Sequence, residues 1–211
     1  MLFRKNILSI ILLASTLSVQ AEWKDVTDQL ITNPRFDGNS SNGWYWSGSV
    51  QATSANFGAY EFWSGYFDFY QYVSTMPKGR YRLSVQGFYR VADFDVVYPR
   101  WQNGEEEVIA FLYAGNHQIP LKSVFDYSFN RPLPGTWTPD NQHYYPNNME
   151  TAARAFSDGA YVNVMEFDWD GEDYCQLGIK CDDYEWSNWC IFDNFKLEYD
   201  GNVTQASSIV L

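Results

Sequence analysis

A chain of 211 residues with a formal net charge of −12 has room for one large domain with a sizeable core, and its field repels nucleic acid and anionic membrane surfaces. Aromatic residues make up 19% of it, as 9 Trp, 16 Tyr and 15 Phe, more than such a core requires, so some rings belong at the surface. The cysteines, Cys175, Cys181 and Cys190, lie close together near the end and leave room for one disulfide at most.

Residues 1–21 read as a secretory leader. Arg4 and Lys5 give the positive start, Ile7 to Leu17 an apolar stretch too short to span a bilayer, and Val19-Gln20-Ala21 a small-residue cleavage site. No cysteine follows the cut to carry a lipoprotein anchor, and no later apolar run is long enough to insert in a membrane. The expected product is soluble, secreted or periplasmic, with residues 22–201 as one domain and 202–211 as a tail.

Downstream, turn signals recur at short intervals between runs rich in Tyr, Phe, Val and Ile, at 59–63, 67–73, 80–90, 108–113, 119–124, 161–167, 174–181 and 189–199. Pro77-Lys78-Gly79 and Asp170-Gly171 read as hairpin turns, which favours antiparallel neighbours. In the run 80–90, Tyr81, Leu83, Val85 and Tyr89 take the core face. Arg82, Ser84, Gln86, Phe88 and Arg90 take the other, either a plain solvated face or one whose amide, ring and guanidinium groups meet sugar hydroxyls. The stretch 125–146, with Pro132, Pro134, Pro139 and Pro146, predicts a long excursion loop of the kind that often carries function. One helix follows at 149–156, with Asn147 and Glu150 as a capping box and Gly159 as its left-handed cap. The pattern predicts an all-β antiparallel sandwich with one short inserted helix.

In the last run, alternation puts Asp193 on the face of Ile191, Phe195 and Leu197, so its carboxylate is expected to point inward. A buried carboxylate needs an Arg, backbone donors or a cation, and calcium suits an all-oxygen site. Cys175 and Cys181 are roughly 20 Å apart along one strand and cannot bridge, and Cys181 would meet Cys190 only across a bulge. Free thiols and a single bond both remain open.

Flat rings beside turns or at strand ends can stack on a sugar while their N–H finds a partner, which singles out Trp46, Trp63, Trp101, Trp137 and Trp186, with Gln86 and Arg90 as polar companions. Signals for catalysis are weak. His117 and His143 have no metal-ligand spacing, no nucleophile elbow or phosphate loop occurs, and Glu166 to Gly171 starts like an EF-hand loop with Leu177 where its bidentate Glu should stand. Glu105-Glu106-Glu107 reads as a solvated acidic loop.

Leu30-Ile31-Thr32-Asn33-Pro34-Arg35-Phe36-Asp37 with Gly43-Trp44, the middle segments Tyr70-Gln71, Pro77 to Tyr81 and Gln86 to Arg90, and the closing Trp189 to Leu197 together resemble the galactose-binding-like jelly rolls of the bacterial carbohydrate-binding-module type. The resemblance spans nearly the whole chain after the leader. It implies a jelly-roll sandwich, a polysaccharide or oligosaccharide partner, no catalysis, and a structural calcium held by the Arg35 carbonyl, Asp37 and Asp193. Asp37 is one methylene shorter than the usual Glu, and reads equally as a turn residue with Gly38. A structural or adhesive module that contacts a surface protein partner, and a small glycan-active enzyme, are the alternatives.

Overall fold

The structure, a computed structural model, describes residues 22–182 and 186–200. The leader expected at 1–21 and the tail expected at 202–211 lie outside the described residues. In chain order the elements are β1 (Lys24–Asp25), α1 (Thr27–Leu30), β2 (Tyr45–Asn56), β3 (Ala59–Ser74), β4 (Gly79–Arg90), α2 (Phe94–Gln102), β5 (Ala110–Ala114), β6 (His117–Pro120), β7 (Lys122–Ser123), β8 (Thr136–Trp137), β9 (Tyr145–Pro146), α3 (Met149–Ser157), β10 (Val162–Trp169), β11 (Tyr174–Cys181) and β12 (Trp189–Asp200). The chain is all-β, with antiparallel pairing throughout except for the short parallel pair β4–β7. No helix among the described residues is long and apolar enough to cross a membrane.

The two layers of the sandwich meet along β3. Its first residues, Tyr60 to Trp63, pair with β12, whereas Phe67 to Ser74 pair with β11. Between them Ser64 takes a left-handed φ of 57° and the strand turns the corner, with β2 following it on the other side. A Cβ on Gly65 would stand 2.0 Å from the Ser49 carbonyl oxygen, and one on Gly48 2.3 Å from that of Tyr66, so the two backbones cross where no side chain fits. One layer runs β10-β4-β12 and continues into the start of β3. The other runs from the end of β3 through β11 and β5 to β6.

Aromatic rings fill the space between the layers. Fully buried Phe36 lies within 6.3 Å of the ring centres of Trp44, Tyr60, Phe69, Phe192 and Phe195, and Trp44 stacks on Phe69 at 4.9 Å. The opening motif is thus core, and the Trp44 indole donates to the Asn33 carbonyl at 3.2 Å.

The structure departs from the sequence expectation in several places. β2 was not anticipated, because its Ser, Thr, Gly and Asn side chains are largely solvent-facing and give no apolar alternation. The turns at Pro77-Lys78-Gly79 and Asp170-Gly171 are not hairpins. β3 and β4 are separated by β12, and β10 pairs with β4 while β11 pairs with β3 and β5, so both turns carry the chain from one layer to the other. There are two nine-residue helices where one was expected, since α2 forms around an internal Pro99. The α3 cap is Asn148, bonded reciprocally with Thr151, one position later than the expected box, and Gly159 does take a left-handed φ of 82°. Glu106 is half-buried, not solvated: it accepts from the Ser123 hydroxyl at 2.9 Å, and burial pushes its carboxyl up to about 7.

Candidate functional site

The outer face of the second layer is a run of tyrosines. On β3 the inward positions Phe67, Phe69 and Val73 are buried, so Asp68, Tyr70 and Tyr72 point outward by alternation. Register then sets Tyr45 of β2, Tyr70 of β3, Gly178 of β11, Tyr113 of β5 and Gln118 of β6 side by side across five strands. Tyr45 and Tyr70 lie 6.0 Å apart, Tyr70 and Tyr72 5.2 Å, and Tyr72 and Tyr174 5.1 Å, so four rings form one continuous strip. Tyr45 is 59% exposed, and Tyr72 and Tyr174 are nearly as open. Gly178 in the middle of the row carries no side chain because β3 passes close beside it: a Cβ there would stand 1.9 Å from the Phe69 carbonyl oxygen.

Polar groups lie beside these rings. The Tyr113 hydroxyl donates to Asp68 at 2.6 Å, and the Gln176 amide donates to the other Asp68 oxygen at 3.2 Å and to Tyr113 Oη at 2.7 Å. Burial raises the Asp68 carboxyl pKa, and the hydrogen bond from Tyr113 opposes that rise. Past Tyr174 and Gln176 the face continues into a cavity of about 450 Å³ lined by His117, Asp168, Trp169, Asp170 and Glu172. Exposed rings beside a connected set of donors and acceptors can take the apolar and hydroxyl faces of a sugar at once. The sequence signal for this face is Tyr70 and Tyr72 two apart, alternating with Phe69 and Val73 on the buried side.

The residues expected from the sequence divide into groups. Trp63, Arg90 and, at 6.3 Å edge-on to Trp63, Trp186 come together on the outer face of the first layer. Trp46 stands apart from them on β2, exposed and edge-on to Phe62 at 5.6 Å. Trp137 stacks on Phe94 at 4.4 Å and Trp101 packs on Phe125 at 4.9 Å, so both rings build the small core of the excursion between β4 and β10 and are half-buried there. Gln86 is not a free companion for sugar. The excursion roofs its end of the face, with Phe88 against Tyr161 at 4.5 Å, and the Gln86 amide donates to the Phe156 and Ala160 carbonyls at 2.7 and 3.0 Å. Arg90 is buried under the same roof.

Asp193 also differs from its expected place. Pairing moves from Asp193 opposite Gln86 to Lys196 opposite Ser84, a bulge of one residue with Asn194 at a left-handed φ of 56°. The alternation therefore flips, and Asp193 shares the face of Gln86, not that of Phe195 and Leu197. It is half-buried nonetheless. Its Oδ1 accepts from the Asn194 N–H at 2.6 Å, while its Oδ2 and the Arg35 carbonyl oxygen each lie 3.9 Å from the point a Cβ on Gly58 would occupy. The Arg35 guanidinium turns away to Asp28 at 2.7 Å. Burial, with Asp37 nearby adding negative charge, pushes the Asp193 carboxyl up to about 7. No cation forms an ion pair with the acid among the described residues, and no group of three or more His, Cys, Asp or Glu side chains among them gathers to hold a metal.

Cys175, Cys181 and Cys190 are buried free thiols. No family model and no curated protein matches the sequence. Among solved structures the chain is similar to "TmCBM61 in complex with beta-1,4-galactotriose", at 16% identity and a TM-score of 0.44, over 80% of this chain and 96% of that one. It is also similar to a structure described as "CBM4 structure and function", at 9% identity and a TM-score of 0.44, over 80% of this chain and 99% of that one.

Proposed function

We propose that this is an exported, non-catalytic glycan-binding protein whose tyrosine face takes an extended stretch of neutral polysaccharide. The observation that carries the reading is the row of Tyr45, Tyr70, Gly178 and Tyr113 across the sheet, with Asp68 and Gln176 bonded beneath it. Rings held by a rigid sheet lose little conformational entropy on binding, and Tyr45, Tyr72 and Tyr174 offer exposed apolar area. A strip of four rings across three strands suits a chain lying along the face.

Retardation in gels containing single polysaccharides tests this. At least one neutral polysaccharide should slow the protein, and Tyr72→Ala and Tyr45→Ala should each abolish the effect while leaving the melting temperature within a few degrees. Retention of full retardation by both variants would move the site elsewhere. No retardation on a broad panel would sink the reading.

The donor set at Asp193 supports a second part of the proposal, a structural calcium held by the Asp193 carboxylate, the Arg35 carbonyl and Asp37. The ion would supply the positive charge that the half-buried carboxylate lacks and tie the loop after α1 to the bulge in β12.

A further inference from the structure

The first layer carries a separate cleft on its outer face. Ala52, Trp63, Trp189 and Arg90 stand abreast on β2, β3, β12 and β4 and wall a cavity of about 270 Å³, closed on one side by Asn147 and Asn148. That is room for one sugar unit and not for a chain.

Two positive features of different origin meet there. Arg90 is only 5% exposed; its Nη1 donates to Asn147 at 2.7 Å, its Nη2 to the Ser187 carbonyl at 3.2 Å, and its guanidinium lies 4.8 Å over the Phe94 ring. Its Nε has no acceptor, and no carboxylate forms an ion pair with it among the described residues. Burial lowers its pKa to about 10, so it remains cationic at neutral pH. The second feature is the N-terminus of α3, whose cap residue Asn148 forms part of the cleft wall and whose dipole favours negative charge, one acid, Glu150, already standing in its first turn. A buried cation costs free energy that an incoming anion recovers, here in competition with Asp93, whose charge already favours the guanidinium.

The rest of the cleft suits a pyranose. Trp63 and the 66% exposed Trp186 stand edge to face at 6.3 Å, one ring forming part of the cavity and the other rising beside it. Glu61 opposes an anion, but it is held by the Trp189 indole N–H at 2.8 Å, and burial raises its pKa.

We propose that this cleft is a second binding site, specific for a uronic-acid unit of an acidic glycan, with the sugar carboxylate facing Arg90 and the α3 N-terminus and the ring against Trp63 and Trp186. It uses no residue of the tyrosine face and stands or falls independently of it.

Titration of the protein by tryptophan fluorescence tests the proposal, with oligogalacturonides and oligoglucuronides as probes and neutral galacto- and gluco-oligosaccharides as controls. At least one acidic series should bind about tenfold or more tighter than its neutral counterpart. Trp186→Ala, at an exposed position, should weaken acidic binding by about tenfold with an unchanged melting temperature. Glu61→Gln, which keeps an acceptor for Trp189 and removes the competing charge, should strengthen it severalfold. Tyr72→Ala should leave it untouched. Equal binding of neutral and acidic sugars, no binding of either acidic series, or indifference to both Trp186→Ala and Glu61→Gln would overturn it.

Discussion

At Asp193 the folded chain favours the protonated acid. The carboxyl titrates near 7 in the fold, whereas an exposed Asp titrates at about 4. A raised acid pKa contributes stability that is complete below the unfolded value and is lost as pH rises through the folded one. In chelator the melting temperature should therefore fall between about pH 4 and 7, most steeply midway, and level off above 7. Added calcium should cancel that fall, because the ion favours the charged form, and Asp193→Asn should remove both the pH dependence and the calcium response. A melting curve blind to chelator at pH 8 would refute the calcium assignment. Phe36 is a different kind of residue, with no titratable role and five rings around it. Phe36→Ala should cost about 3–5 kcal/mol, seen as a lower denaturant midpoint.

Elements with a clear apolar period were legible in the sequence. β4, β10, β11 and β12 lie within two residues of the expected runs, because each buries one face and must alternate. β2 was not legible, since it depends on pairing along the whole of β3 and not on its own side chains. Gly48 holds that pairing at the corner, with a φ of 131° and no space for a Cβ. Gly48→Ala should break the β2–β3 ladder there and speed amide exchange along β2 before it affects β12. The bulge at Asn194 was equally hidden: one extra residue reverses every later face, and only the β4 partner reveals it. The site shows the same division. The centre of the tyrosine strip could be read from the spacing of Tyr70 and Tyr72, whereas Tyr45 and Tyr174 join it only through strand pairing, and the cleft joins Trp63 to Arg90 through β12, which strand order alone could bring between them.

On the scale of the whole molecule, the tyrosine face and the cleft lie on opposite layers. A glycan carrying both neutral runs and acidic units could then be held by two protein surfaces at once, and two glycan chains could be joined by one protein. Mixing with such a polymer should produce cross-linked particles, measured as light scattering, that disappear in Tyr72→Ala and in Trp186→Ala alike, because either loss leaves one valence.

β12 is the last strand among the described residues, yet it sits between β3 and β4, and its Leu197 exchanges hydrogen bonds with Thr27, 170 residues earlier. The central seam of the first layer thus stays open until the final segment arrives. Local contacts can form early, but closing them requires the longest loop in the molecule, which makes for slow folding. A chain cut before Trp189 lacks the middle of its sheet and should remain protease-sensitive. The first layer can therefore be completed only after β12 has been synthesised.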